Sequence, residues 1–66
     1  MNDIKEKMED YLIGLISKHQ INAQVFLKNP VGVAEHPDVA TTLEEELGKI
    51  AEYQDKLIAL KDLTSG

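Results

Sequence analysis

Large apolar side chains recur every three or four residues through the first half of this 66-residue chain. This spacing places side chains on one side of an α-helix. The series is Ile4, Met8, Tyr11, Leu12, Leu15, Ile16 and His19, continued by Ala23, Phe26 and Leu27. Asn2 or Asp3 can cap the start of such a helix, with Glu6 at capping-box distance. The sequence therefore predicts a helix over residues 3–28.

A second set of apolar residues, Ile13, Ile21 and Val25, lies off this stripe. A helix that is apolar on more than one side is expected to have more than one neighbour. Residues 21–25 also alternate between apolar and polar, as a β-strand does. We favour a helix here because the chain offers no second strand for pairing, and an isolated strand leaves its hydrogen bonds unmet.

The segment 29–37 is predicted to be a hinge between two helices. Pro30 cannot lie deep in a helix, and Gly32 can adopt a positive φ that reverses the chain. Pro37 suits the first position of a new helix, which makes His36 the expected N-cap, or Asp38 if the boundary shifts. We expect Val31 or Val33 to fold back between the helices.

A second helix is predicted over residues 38–63. Its stripe follows a nearly heptad rhythm: Val39, Leu43, Leu47, Ile50, Gln54, Leu57 and Lys61. A charge at Leu47 is expected to abolish folding or assembly, because it would enter this seam. Gln54 either sets the register of the seam or lies at its rim. Gly48 either permits a close helix approach or is a tolerated defect.

Composition and charge narrow the classes of function. The net charge is −5, and all seven basic residues are lysine, so nucleic-acid binding is disfavoured. No apolar run approaches the roughly 20 residues of a membrane span. The chain has no cysteine, which removes disulfides and thiolate metal sites. Because chains this small usually need such cross-links or association, association is the strongest expectation. We expect a cytoplasmic protein.

Two charged clusters are candidate sites. Glu35, His36 and Asp38 could hold a metal or move a proton, but they match no zinc spacing, and we favour the interpretation that they cap and charge a helix start. Residues 44–46, three adjacent glutamates, could dock a basic partner or simply form a solvated flank. Tyr11 and Tyr53 could anchor an interface or pack at the edge of the core. We predict no catalytic residue, no cofactor and no metal.

The run from Leu27 to Asp38, followed by Leu43 to Tyr53, resembles short uncharacterised proteins of T4-like tailed phages of marine bacteria. The resemblance covers the hinge and the second helix and contains no catalytic signature. It implies a phage origin, and with it a virion or host-cytoplasm location. Small phage proteins of this kind are often virion components or modulators of host proteins.

The sequence thus predicts an all-α fold, an antiparallel two-helix hairpin that a second copy or another protein completes into a helical bundle. The predicted function is protein–protein association without catalysis, as a small structural part of a virion or, alternatively, as an acidic regulator of a host protein. The candidate interface residues are Tyr11, Ile13, Ile21, Val25, Phe26, Leu43, Leu47, Ile50 and Leu57. The candidate hinge residues are Pro30, Gly32, His36 and Pro37.

Overall fold

A computed structural model describes residues 3–28 and 37–64 of the chain. It contains two helices, α1 over Asp3–Leu27 and α2 over Pro37–Thr64, and the described residues include no β-strand. The two helices lie side by side as an antiparallel hairpin about 51 Å long and 14 Å by 12 Å across. The all-α hairpin expected from the apolar spacing is therefore confirmed.

Both helices have boundaries that follow from local chemistry. Asp3 and Glu6 lie in the first turn of α1, where the helix dipole favours negative charge. Pro37 is the first residue of α2, a position at which the missing N–H costs nothing. Residues 21–25 are helical, so the strand alternative for this segment is wrong. Because residues 29–36 lie outside the described ranges, the predicted hinge conformation and the Val31 or Val33 contact stay predictions.

The contact between the helices uses one heptad series from each. In α1 the central members are Leu12, Ile16, His19, Ala23 and Phe26, at alternating steps of four and three. Only Leu12 and Ala23 are buried among the described residues, with 5% and 4% of their surface exposed. In α2 the half-buried series is Val39, Leu43, Glu46, Ile50, Tyr53, Leu57 and Leu60. These two series form the seam of the hairpin.

The seam of α2 differs from the predicted one at three positions. Leu47 is 52% exposed, and Gln54 and Lys61 are also exposed. The half-buried residues at these points are Glu46, Tyr53 and Leu60. The expectation that Leu47 lies in the seam with α1 is therefore wrong. The predicted and the observed series both contain Val39, Leu43, Ile50 and Leu57. These apolar residues alone therefore did not show which series faces α1. As an interface residue toward a partner, Leu47 stays a prediction.

Local hydrogen bonds and ion pairs support the helices individually. Lys56 Nζ lies 3.4 Å from Glu52 Oε2 in α2, an ion pair at the i,i+4 spacing that places two side chains on one side of a helix. Lys5 Nζ and Glu9 Oε1 are 3.7 Å apart in α1. Such solvent-accessible pairs within one helix contribute at most a few tenths of a kcal/mol each, so they do not hold the two helices together.

Candidate functional site

Four side chains with polar atoms meet in the middle of the otherwise apolar seam. His19 and Asn22 project from α1 one turn apart, and Glu46 and Tyr53 project from α2 two turns apart. Spacings of three and seven residues keep each pair on one side of its helix. We refer to His19, Asn22, Glu46 and Tyr53 as the seam cluster.

Glu46 is the centre of the seam cluster because both of its carboxylate oxygens are hydrogen-bonded. His19 Nδ1 is bonded to Oε2, and Asn22 Nδ2 donates to Oε1 over 3.1 Å. The His19 and Glu46 side chains are only 13% and 17% exposed. A carboxylate so enclosed needs its partners, because an unsatisfied buried acceptor is costly. The arrangement therefore ties α1 to α2 at a defined register.

The imidazole of His19 also contacts the ring of Tyr53. Its ring stacks on His19 with centroids 5.8 Å apart and planes inclined by 25°. The ammonium group of Lys56 lies 5.3 Å from the centre of the Tyr53 ring, within the range of a cation–π contact. Tyr53 is half-buried and thus packs at the edge of the core, against the histidine ring.

The seam cluster changes the acidity of Glu46. Its pKa is lowered from the ordinary value of 4.5, chiefly by the hydrogen bond with His19. Desolvation opposes this shift in pKa, while the Asn22 hydrogen bond and electrostatic interactions with His19 and Lys18 reinforce it. The carboxylate form of Glu46 is therefore the form that the folded hairpin favours.

An imidazole paired with a carboxylate can orient a proton-transfer group, but further components are needed for a reaction. No pocket opens beside the cluster in the described part of the chain. Within residues 3–28 and 37–64, no three His, Cys, Asp or Glu side chains gather in a way that could hold a metal ion. The arrangement is suited to fixing the alignment of the helices.

The predicted interface residues divide into two groups. Four of them lie in or beside the seam and are half-buried, namely Phe26, Leu43, Ile50 and Leu57. The other five are 48–62% exposed, namely Tyr11, Ile13, Ile21, Val25 and Leu47. The structure thus brings the first group together inside the hairpin and leaves the second group on its surface.

Of the two predicted charged sites, the cluster of three glutamates is arranged differently from the expectation. Most of the hinge cluster lies outside the described residues. Of the three adjacent glutamates, residues 44–46, the structure turns Glu46 inward, so a docking patch made of all three is wrong. Asp38 is exposed in the first turn of α2. Pro30, Gly32, Glu35 and His36 lie outside the described residues, and the proposed metal or proton site at the hinge stays a prediction.

Sequence reasoning did not find the seam cluster. His19 was recognised on the apolar stripe of the first helix, but Glu46 was assigned to the solvated side of the second. The available signal was the strict four-three series through Val39, Leu43, Glu46, Ile50, Tyr53 and Leu57. That series fits a heptad better than the series through Leu47, which contains two consecutive steps of four, and it requires one acidic residue in the seam.

Comparisons with protein-family models, with curated proteins and with solved structures found no match to this chain. Neither described helix is long and apolar enough to cross a membrane.

Proposed function

We propose that this hairpin is a non-enzymatic protein–protein association module whose core is completed by another polypeptide. The observation that carries the proposal is the imbalance of its apolar side chains. Two residues are buried in the described hairpin, while ten large apolar residues have 43–84% of their surface exposed. The exposed ten are Ile4, Met8, Tyr11, Ile13, Ile21, Val25, Leu27, Leu47, Ile58 and Leu63.

The total surface area supports the same conclusion. The chain exposes 5073 Å², whereas a folded monomer of its 7.4 kDa mass is expected to expose about 4,200 Å². The excess, roughly 870 Å², is close to the area of about 800 Å² that each partner buries in a standard protein–protein interface. One such contact would give the chain the surface of an ordinary folded protein.

The seam alone gives the hairpin little reserve of stability. Complete burial of a side chain such as Leu12 contributes about 1.5–3 kcal/mol, and the described chain has one such large residue. Small folds without disulfides or metals usually obtain the remainder by association. Association with a partner would bury further apolar surface and stabilise both helices.

The resemblance to short phage proteins supports a virion as the setting, with the module acting as a small structural component. A structural role requires a stable contact surface and no active site. The rival expectation, an acidic regulator of a host protein, loses one of its three adjacent glutamates to the seam. The inward position of Glu46 weakens the acidic surface on which that rival depends, and no observation on the described residues favours the rival.

The proposal is tested by the mass of the complex that contains this chain in its native source. We expect the chain to sediment in a species heavier than 7.4 kDa, and to accompany purified virions at many copies per particle. A chain found only as a free monomer would overturn association as its function. A chain found in complexes but absent from virions would retain association and overturn the structural role in the particle.

A further inference from the structure

A second heptad series runs along α2 outside the seam. It consists of Ala40, Glu44, Leu47, Ala51, Gln54, Ile58 and Lys61, at alternating steps of four and three. Every member is exposed, including Leu47 at 52% and Ile58 at 58%. Residues in such a series share one side of a helix and form the contact of a coiled coil. We refer to residues 44, 47, 51, 54, 58 and 61 of this series as the outer stripe.

The outer stripe is complementary to itself when reversed. Its spacings of three, four, three, four and three residues read the same in both directions, about a midpoint between Ala51 and Gln54. An antiparallel copy therefore places Leu47 opposite Ile58 and Ala51 opposite Gln54. It also places Glu44 opposite Lys61 at both ends, which forms two ion pairs between the copies.

We propose, resting on the association function proposed above, that a second copy of this chain docks on the outer stripe of α2. The two α2 helices are antiparallel about a two-fold axis between Ala51 and Gln54, and the product is a four-helix bundle. Such a contact is isologous, since each residue pair occurs twice.

Charge selects the antiparallel arrangement over the parallel one. In a parallel pair, Glu44 would face Glu44 and Lys61 would face Lys61, and like charges suppress a wrong pairing. Neither Glu44 nor Lys61 forms an ion pair in the described hairpin. Within one chain the two residues are 17 positions apart in a continuous helix, about 26 Å at 1.5 Å per residue, so they can meet only across two copies.

The composition of the outer stripe also defines the register. Leu47 and Ile58 supply the apolar contact, and the small side chain of Ala51 leaves room for the amide of Gln54 from the second copy. A polar residue at one heptad position specifies register at some cost in stability. The excess surface of the chain, about the amount that one partner buries in a standard interface, matches a single such contact.

The test is a charge exchange measured by analytical ultracentrifugation of the purified full chain, from micromolar to several hundred micromolar. The wild type is expected to reach twice the mass of 7.4 kDa. Glu44→Lys and Lys61→Glu are each expected to raise the dimer dissociation constant about tenfold, because each replaces two attractions with two repulsions. The double variant Glu44→Lys/Lys61→Glu is expected to restore the wild-type constant.

Matched substitutions locate the contact. Leu47→Asp is expected to yield a monomer that is still a helical hairpin at low temperature by circular dichroism, because Leu47 is outside the hairpin seam, but that melts at a lower temperature than the wild-type dimer. The control is Ile21→Asp, which changes an exposed apolar residue on α1, 62% against 52% for Leu47, and is expected to leave the dimer intact. Since the wild type has no cysteine, a mixture of Ala51→Cys and Gln54→Cys chains is expected to form mixed disulfides faster than either chain alone.

Three results would overturn this proposal. They are a wild-type monomer at all concentrations, a double charge variant that stays dissociated, and a dimer that Ile21→Asp disrupts but Leu47→Asp does not. A monomer in isolation that forms part of a larger complex in the native source would refute only the second copy as partner. A free monomer in both settings would refute the association function as well.

Discussion

Glu46 shows how one residue can differ in environment from its immediate neighbours. Glu44 and Glu45 are exposed, while Glu46 lies between the helices with both carboxylate oxygens hydrogen-bonded to α1. The three glutamates are chemically identical, and the only sequence signal for the inward one is the four-three spacing that passes through Glu46. The partner groups on α1 decide it, because only Glu46 reaches His19 and Asn22.

At this scale we predict a dependence of stability on acid pH. Because the folded pKa of Glu46 is below its ordinary value of 4.5, the unfolded chain binds more protons in this range. The contribution of Glu46 is complete above pH 4.5 and is lost as the pH falls through the lowered folded pKa. Denaturation followed by circular dichroism from pH 7 to pH 3 measures this loss of stability. That pH range covers the titration of ordinary carboxyl groups.

The matched variants for this prediction are Glu46→Gln and Glu45→Gln. Glu46→Gln is expected to lower the melting temperature at neutral pH and to reduce the loss of stability on acidification. Glu45→Gln changes an exposed neighbour without a partner in the seam, and is expected to keep the wild-type acid profile. Identical acid profiles for wild type and Glu46→Gln would contradict the role of the Glu46 carboxylate.

At the scale of the helices, α1 and α2 each contain a glycine that is exposed to solvent and lies away from the helix ends. A Cβ atom built on Gly14 or Gly48 would meet nothing within 4 Å. The alternative in which Gly48 permits a close approach of α1 is therefore wrong within the described hairpin, and Gly48 is a tolerated defect there. Both glycines lower helix stability, since glycine has greater backbone freedom in the unfolded chain.

We predict that Gly14→Ala and Gly48→Ala each raise the free energy of unfolding by about 0.8–1 kcal/mol. Urea denaturation of the single and double variants measures this effect. The two glycines lie on different helices, and an added Cβ at either would contact no neighbour within 4 Å, so their effects are expected to add. If Gly48→Ala instead lowered the stability and also dissociated the dimer, α2 would approach its second copy closely at this glycine.

At the scale of the whole molecule, the hairpin is a thin rod with little interior. Its smaller dimensions of 14 Å and 12 Å leave no room for a layer of side chains covered on all sides. The seam therefore consists mainly of half-buried residues, and apolar surface extends around both helices. This geometry links folding to association, because a partner supplies the missing side of the core.

We predict that the melting temperature of the wild-type chain rises with protein concentration. Association of folded chains shifts the folding equilibrium by mass action, so each increase in concentration favours the folded state. Thermal melts over a hundredfold range of concentration test this, with Leu47→Asp as the variant expected to lose the dependence. A sharp melt with the same melting temperature at every concentration would argue that a single hairpin is stable without a partner.

The sequence by itself determined the two helices, their antiparallel pairing and the excess of apolar residues. The helical repeat is a local property, and Pro37 suits the first position of α2 because its missing N–H would have no partner there. Tertiary structure alone decided which of two overlapping heptad series in α2 faces α1. Val39, Leu43, Ile50 and Leu57 fit both series, and the difference arises where Glu46 meets His19 and Asn22. That contact joins residues more than twenty positions apart, so its hydrogen bonds exist only once the helices have met.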